Sequence, residues 1–117
     1  MKEAQNTMLT IEKDEGVELF RYTEEGVLKC FGSFTFVRNT KVQIVTFNVF
    51  PRFRNRGLGT KVFRLLLQEI LTRNPSVTSL ELYSNPLPIR FWQRQGFSIC
   101  RKEPDGSARM ERAVEPS

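Results

Sequence analysis

Val49-Phe50-Pro51-Arg52-Phe53-Arg54-Asn55-Arg56-Gly57-Leu58-Gly59-Thr60-Lys61-Val62-Phe63-Arg64-Leu65-Leu66-Leu67 joins a strand-like run, residues 42–49, to an apolar pattern of helical period. Between them sits a tight, basic turn. Gly57 and Gly59 have no Cβ, so the backbone there can turn sharply or approach another group closely. The first N–H groups of a helix have no intrahelical partner and would point into that space. The helix dipole adds partial positive charge at the same point, and Arg54, Arg56 and Lys61 add full charges. Such a turn favours phosphate. A purely structural strand-to-helix turn is the plainer alternative, and the three nearby cations favour the anion site.

Upstream, residues 8–12 alternate apolar and polar, Asp14-Glu15-Gly16 marks a turn, and residues 17–22 read as a second strand. Glu24-Glu25-Gly26 marks another turn. Leu28, Cys30, Phe34 and Phe36 fall on one face of a long strand, with Gly32 among them as the sign of a bulge or a close approach. Arg38-Asn39-Thr40-Lys41 turns the chain back into residues 42–49. Downstream, Leu58, Val62, Leu65, Leu66 and Ile70 form a helical stripe widened by Phe63 and Leu67, ending near Asn74-Pro75. Residues 77–83 are a fifth strand. A short helix follows, with Ile89, Phe91, Trp92 and Gln95, started no earlier than Pro88 and stopped by Gly96. Residues 97–100 make a sixth strand, and Asp105-Gly106 signals a hairpin into a seventh, residues 108–113.

The order β-β-β-β-α-β-α-β-β predicts an α+β domain. Its mixed, mostly antiparallel sheet has six or seven strands, a central βαβ unit and two helices, with strands 42–49 and 77–83 parallel. The expected domain spans residues 1–113, with a tail at 114–117.

At 117 residues, 39% hydrophobic and with ten phenylalanines, the chain is long and apolar enough for one folded core. The net charge of +5 suits a polyanion or a phosphorylated ligand. Cys30 and Cys100 read as small hydrophobes of a reduced protein. No apolar run is long enough to span a membrane, and Met1-Lys2-Glu3-Ala4-Gln5-Asn6 leads into no signal-peptide core, so a cytoplasmic protein is expected. With no histidine, chemistry must come from carboxylates, Tyr, Cys, Ser/Thr or backbone dipoles, and no metal is expected.

Over residues 42–110 the chain resembles the GNAT superfamily of acyl-CoA-dependent N-acyltransferases. The family pattern Val-x-Pro-x-x-Arg-x-x-Gly-x-Gly is matched at each fixed position from Val49 to Gly59. Asn85, Phe91-Trp92 and Gly96-Phe97 follow in the family's order and spacing. A dinucleotide fingerprint would need a third glycine, and a P-loop would need Gly-Lys-Ser/Thr.

The resemblance implies acetyl-CoA as acyl donor and a primary amine as acceptor. It also implies that backbone groups of Phe47, Asn48 and Val49 pair with the pantetheine arm, one N–H polarising the thioester carbonyl. Amides of Arg54, Asn55, Arg56, Gly57, Leu58, Gly59 and Thr60 would cradle the pyrophosphate. Asn85 and the helix of Phe91 and Trp92 would line the other wall.

The sequence departs from the family pattern in three places. The family usually inserts two helices between its first strands, but only Asp14, Glu15 and Gly16 stand there. The acceptor side is therefore expected to be open, suiting a large, even macromolecular acceptor, or to be completed by a second copy in a homodimer. Gln43 stands where many members carry a carboxylate base. Trp92 stands where many carry a tyrosine that protonates the departing thiolate, and an indole donates only a hydrogen bond.

Losing such groups costs about 10²–10⁴-fold each in acid–base enzymes, yet positioning alone supplies much of a barrier reduction. Tyr83 and Glu81, near the end of the fifth strand, are the substitute candidates, against plainer readings as an interfacial aromatic and a solvated charge. Arg52, Arg90, Arg94, Arg101 and Lys102 read mainly as solvated surface. Two other functions compete: a catalytically weak CoA-binding module, and a basic nucleic-acid binder using the arginine turn.

Overall fold

The computed structural model describes residues 7–115. The N-terminal stretch read for a signal peptide, residues 1–6, and residues 116–117 of the expected tail lie outside them. The chain runs β1 (Thr7–Asp14), β2 (Val17–Glu24), β3 (Val27–Arg38) and β4 (Lys41–Val49), then a 3-10 turn at Pro51–Phe53 and α1 (Leu58–Arg73). There follow β5 (Ser79–Ser84), α2 (Ile89–Arg94), β6 (Ser98–Lys102) and β7 (Ala108–Ala113). All strands belong to one seven-stranded sheet in the order β1-β2-β3-β4-β5-β7-β6. Only β4 and β5 are parallel. This is the mixed α+β architecture read from the sequence, with β4–α1–β5 as its central crossover.

Two-residue turns, Glu15-Gly16 and Glu25-Gly26, have positive φ at both positions and match the twist of the strands they join. Because the first connects β1 directly to β2, no helix lies between them. Helix α1 buries Val62, Phe63, Leu66 and Ile70 against the sheet. Full burial of each such side chain is worth about 1.5–3 kcal/mol. Leu65 departs from the expected stripe and is 36% exposed, because it falls at the stripe's edge, facing a recess beside β1.

Trp92 of α2 lies 5.6 Å from Phe63, 5.4 Å from Phe97 and 5.3 Å from Phe47, centroid to centroid. Both helices therefore share one face of the sheet. The opposite face, among the described residues, carries no helix, and it leaves Leu19, Phe31 and Val45 exposed.

One irregularity shapes the centre. Ser33 pairs with Thr46 and Phe34 with Ile44, so Val45 is an extra residue in β4. A one-residue bulge reverses which face each side chain meets. Ile44 is buried, Val45 and Thr46 are exposed, and Phe47 returns to the core. Gly32 lies opposite: a Cβ there would collide with the Thr46 carbonyl oxygen and sit 2.7 Å from the Phe20 ring. The close approach expected at Gly32 is thus the bulge itself.

Strand β5 begins at Ser79 rather than residue 77, because Val77 donates to Asn74 O in a turn while its side chain enters the core. Val114, in the stretch read as a tail, is 7% exposed and donates to Thr78 O at 2.8 Å.

Candidate functional site

Strands β4 and β5 pair from Lys41↔Ser79 to Ile44↔Leu82 and no further. Beyond the bulge they splay, leaving a cleft of about 210 Å³. Phe47 and Asn48 line it from β4, Tyr83 and Asn85 from β5 and the loop after it, and Phe91 and Trp92 from α2. Five of the residues singled out from the sequence (Phe47, Asn48, Tyr83, Asn85, Trp92) thus meet in one place. On its other edge β4 stays bonded to β3, with Gly32↔Phe47 and Cys30↔Val49 in register. Among the described residues, the edge of residues 47–49 facing the cleft has no strand partner.

Trp92 is only 6% exposed and sits in a ring of aromatics, so its first role is to hold the cleft wall.

The glycine turn borders the cleft at Phe91, which lines the cleft and packs against Gly59. Phe53 N–H bonds Phe50 O and Arg54 N–H bonds Pro51 O, closing the 3-10 turn. Asn55 (φ 63°) and Gly57 (φ 78°) both adopt the left-handed conformation. The first helical bond runs from Lys61 N–H to Gly57 O, which leaves the N–H groups of Leu58, Gly59 and Thr60 ahead of it. A Cβ on Gly57 would meet nothing within 4 Å, whereas one on Gly59 would sit 2.9 Å from Phe91. Gly57 therefore serves the turn's conformation, and Gly59 lets α1 and α2 touch.

The three cations counted at this turn are not equivalent. Arg54 Nε donates to Val49 O at 2.7 Å and braces the turn. Lys61 Nζ lies 3.1 Å from Glu24 Oε2. Among the described residues, Arg56 is the one of the three whose side chain has neither a hydrogen-bond nor an ion-pair partner. Thr60 Oγ1 accepts from Gln95 Nε2 at 2.9 Å, tying α1 to α2.

Glu24 was read from the sequence only as a turn marker, yet it organises this corner. Its carboxylate accepts from Lys29 at 2.8 Å, Lys61 at 3.1 Å and the Tyr22 hydroxyl at 2.5 Å. The Lys29 ammonium, then the Tyr22 hydroxyl, hold its pKa down to about 2. Burial, with the Glu24 carboxylate beside it, pushes the Tyr22 phenol above its ordinary value. With Arg56, Gly57, Leu58 and Phe53, the charged side chains of Glu24, Lys29 and Lys61 wall a second recess of about 230 Å³ beside the turn. No local pattern in the sequence shows that Glu24 faces Lys61.

Glu81 and Tyr83 differ in setting. Glu81 is buried, not solvated, and lies 3.1 Å from Lys41 Nζ and 3.0 Å from Arg109 Nη2. Glu111 completes the network through Lys41, at 3.0 Å, and Arg109. The Lys41 ammonium holds the Glu111 carboxyl below its usual range. Gln43 is the register partner of Glu81 on the same face. Tyr83 is 64% exposed at the cleft. Cys30 is fully buried, which pushes its thiol up to about 12.

Residues 2–97 match the acetyltransferase (GNAT) family, and the chain belongs to that family. Solved structures share this fold. Ard1 from Thermoplasma volcanium is 26% identical with a TM-score of 0.70, over 83% of this chain and 70% of that one. A GNAT family acetyltransferase from Elizabethkingia anophelis, with acetyl-CoA bound, is 12% identical with a TM-score of 0.76, over 93% of this chain and 99% of that one. The PaiA N-acetyltransferase from Thermoplasma acidophilum, in complex with coenzyme A, is 16% identical with a TM-score of 0.69; the match takes in 85% of this chain and 62% of that one. Among curated proteins, none matches. No helix among the described residues is long and apolar enough to cross a membrane.

Proposed function

We propose that this chain is an N-acyltransferase that moves an acetyl group from acetyl-CoA to a primary amine, chiefly by positioning. The observation that carries the reading is the splayed β4–β5 cleft, bordered at Phe91 by the amide-lined turn of Gly57 and Gly59. The residues fit such a donor. The free edge of residues 47–49 offers backbone partners to an extended amide arm. The open space at Gly57 and the amides from Asn55 to Thr60 suit a diphosphate, with Arg56 as the unpaired cation. The Arg54 N–H, already bonded to Pro51 O, contributes to the turn and not to the cradle.

In this reading a β4 N–H polarises the thioester carbonyl, while Asn48 and Asn85 flank it from opposite walls. The neutral amine attacks, its C–N bond forms and the C–S bond breaks. The amine nitrogen gives up a proton and the sulfur gains one. Tyr83, which lines the cleft, would donate to the sulfur, and water would take the amine's proton in place of a carboxylate at position 43. Glu81, held by two cations, supports the sheet instead of moving a proton. The helix-free sheet face would admit a large acceptor.

The chemistry is tested by thiol release from acetyl-CoA over a panel of amines, peptides and aminoacylated RNA. Turnover on none of them, with CoA bound tightly by calorimetry, would favour a second reading, a CoA-binding module with weak catalysis. That reading draws on Gln43 and on the absence of a carboxylate lining the cleft among the described residues.

A further inference from the structure

Away from this cleft, α1, α2 and β7 enclose a recess of about 490 Å³. Each element contributes one arginine: Arg64, Arg94 and Arg112. Its floor includes Phe63 and Leu67. Of the other cations among the described residues, half meet carboxylates: Arg21, Lys29, Lys41, Lys61, Arg73, Arg101 and Arg109. Among the described residues, Arg64, Arg94 and Arg112 have no carboxylate within ion-pair distance, and no acidic residue lines the recess. Three like charges in one groove repel each other, a cost that a bound anion would offset.

Arg112 is also held in place. Its guanidinium carbon lies 5.9 Å from the Phe63 ring centroid, a cation–π contact. A Cβ on Gly96 would sit 3.3 Å from Arg112 Nε, so the glycine leaves room for this pose. A guanidinium fixed by its face presents its N–H edge, the geometry that grips phosphate oxygens in pairs.

We propose that this groove binds the phosphate backbone of a single-stranded nucleic acid, independently of any ligand in the β4–β5 cleft. The phosphates would pair with Arg64, Arg94 and Arg112, and the sheet's open face would stay free.

The test is fluorescence anisotropy with a short fluorescein-labelled oligouridylate between about 50 and 200 mM salt, where such contacts lose affinity steeply. The proposal expects binding by the unmodified protein. Arg64→Ala/Arg94→Ala, two exposed positions that leave the core intact, should weaken it about tenfold or more and flatten the log–log salt slope by about 1.4. Lys13→Ala/Arg38→Ala, an equal charge loss elsewhere, should change affinity less than twofold. Saturating CoA should leave binding unchanged. Four results would overturn the proposal: no oligouridylate binding at low salt, an equal loss in the control pair, displacement by CoA, or equally tight binding of a similarly charged oligoglutamate.

Discussion

Gly59 and Phe91 touch so closely that the smallest side chain at position 59 would sit 2.9 Å from the phenylalanine ring. The entry of α1 is thereby keyed to α2. Gly59→Ala must push the ring, at a cost of about 1–3 kcal/mol. Gly57→Ala has open space but a φ of 78°, costing about 1–2 kcal/mol in backbone strain. Urea unfolding should show both losses. Only Gly59→Ala should shift the emission of Trp92, the sole tryptophan, whose ring lies 4.8 Å from Phe91.

Glu24 sets an acid limit on stability. Its pKa is held at about 2 in the fold, against an ordinary value of 4.5. The stabilisation is therefore complete above pH about 4.5 and is lost as pH falls through about 2. Glu24→Gln should lower stability by about 1–3 kcal/mol at neutral pH. Thermal melts should show this deficit shrinking toward zero across that acid window.

Glu81 and Tyr83 should separate by experiment. Glu81→Gln weakens two ion pairs of a buried carboxylate and should lower Tm. Tyr83→Phe, at an exposed position, should leave Tm within a degree or so and lower kcat for thiol release about tenfold or more, with KM little changed.

The two thiols should also differ. Cys30, buried with its thiol pushed up to about 12, should resist iodoacetamide, while exposed Cys100 reacts. Mass spectrometry should find one label on the native protein and two after unfolding.

The sequence carried the fold because its signals were local: Gly16 and Gly26 at hairpin turns, an apolar stripe every three to four residues from Leu58 to Ile70, and a strand-to-helix glycine turn. Of the residues now lining the cleft, Phe47, Asn48, Asn85, Phe91 and Trp92 were legible only as what the resemblance to the family's motifs implied. Glu24, Lys29 and Lys61 were not, since charges brought together across strands and a helix leave no periodic trace. Glu81 looked solvated for the same reason: its partners Lys41 and Arg109 come from other strands. The bulge at Val45 left a faint mark, the phase slip between Val42-Ile44 and Phe47-Val49, which a reading of 42–49 as one even strand passes over.

That extra residue ties the width of the central opening to a whole number. A strand gains or loses residues only in units, so gradual narrowing is closed to β4. Removing Val45 would erase the bulge in one step: Ile44 and Phe47 would then stand two positions apart on an even strand, both still toward the core. Any refinement of what enters must instead come from the side chains at the rim, such as Asn48, Tyr83 and Asn85, which can change one at a time without disturbing the scaffold.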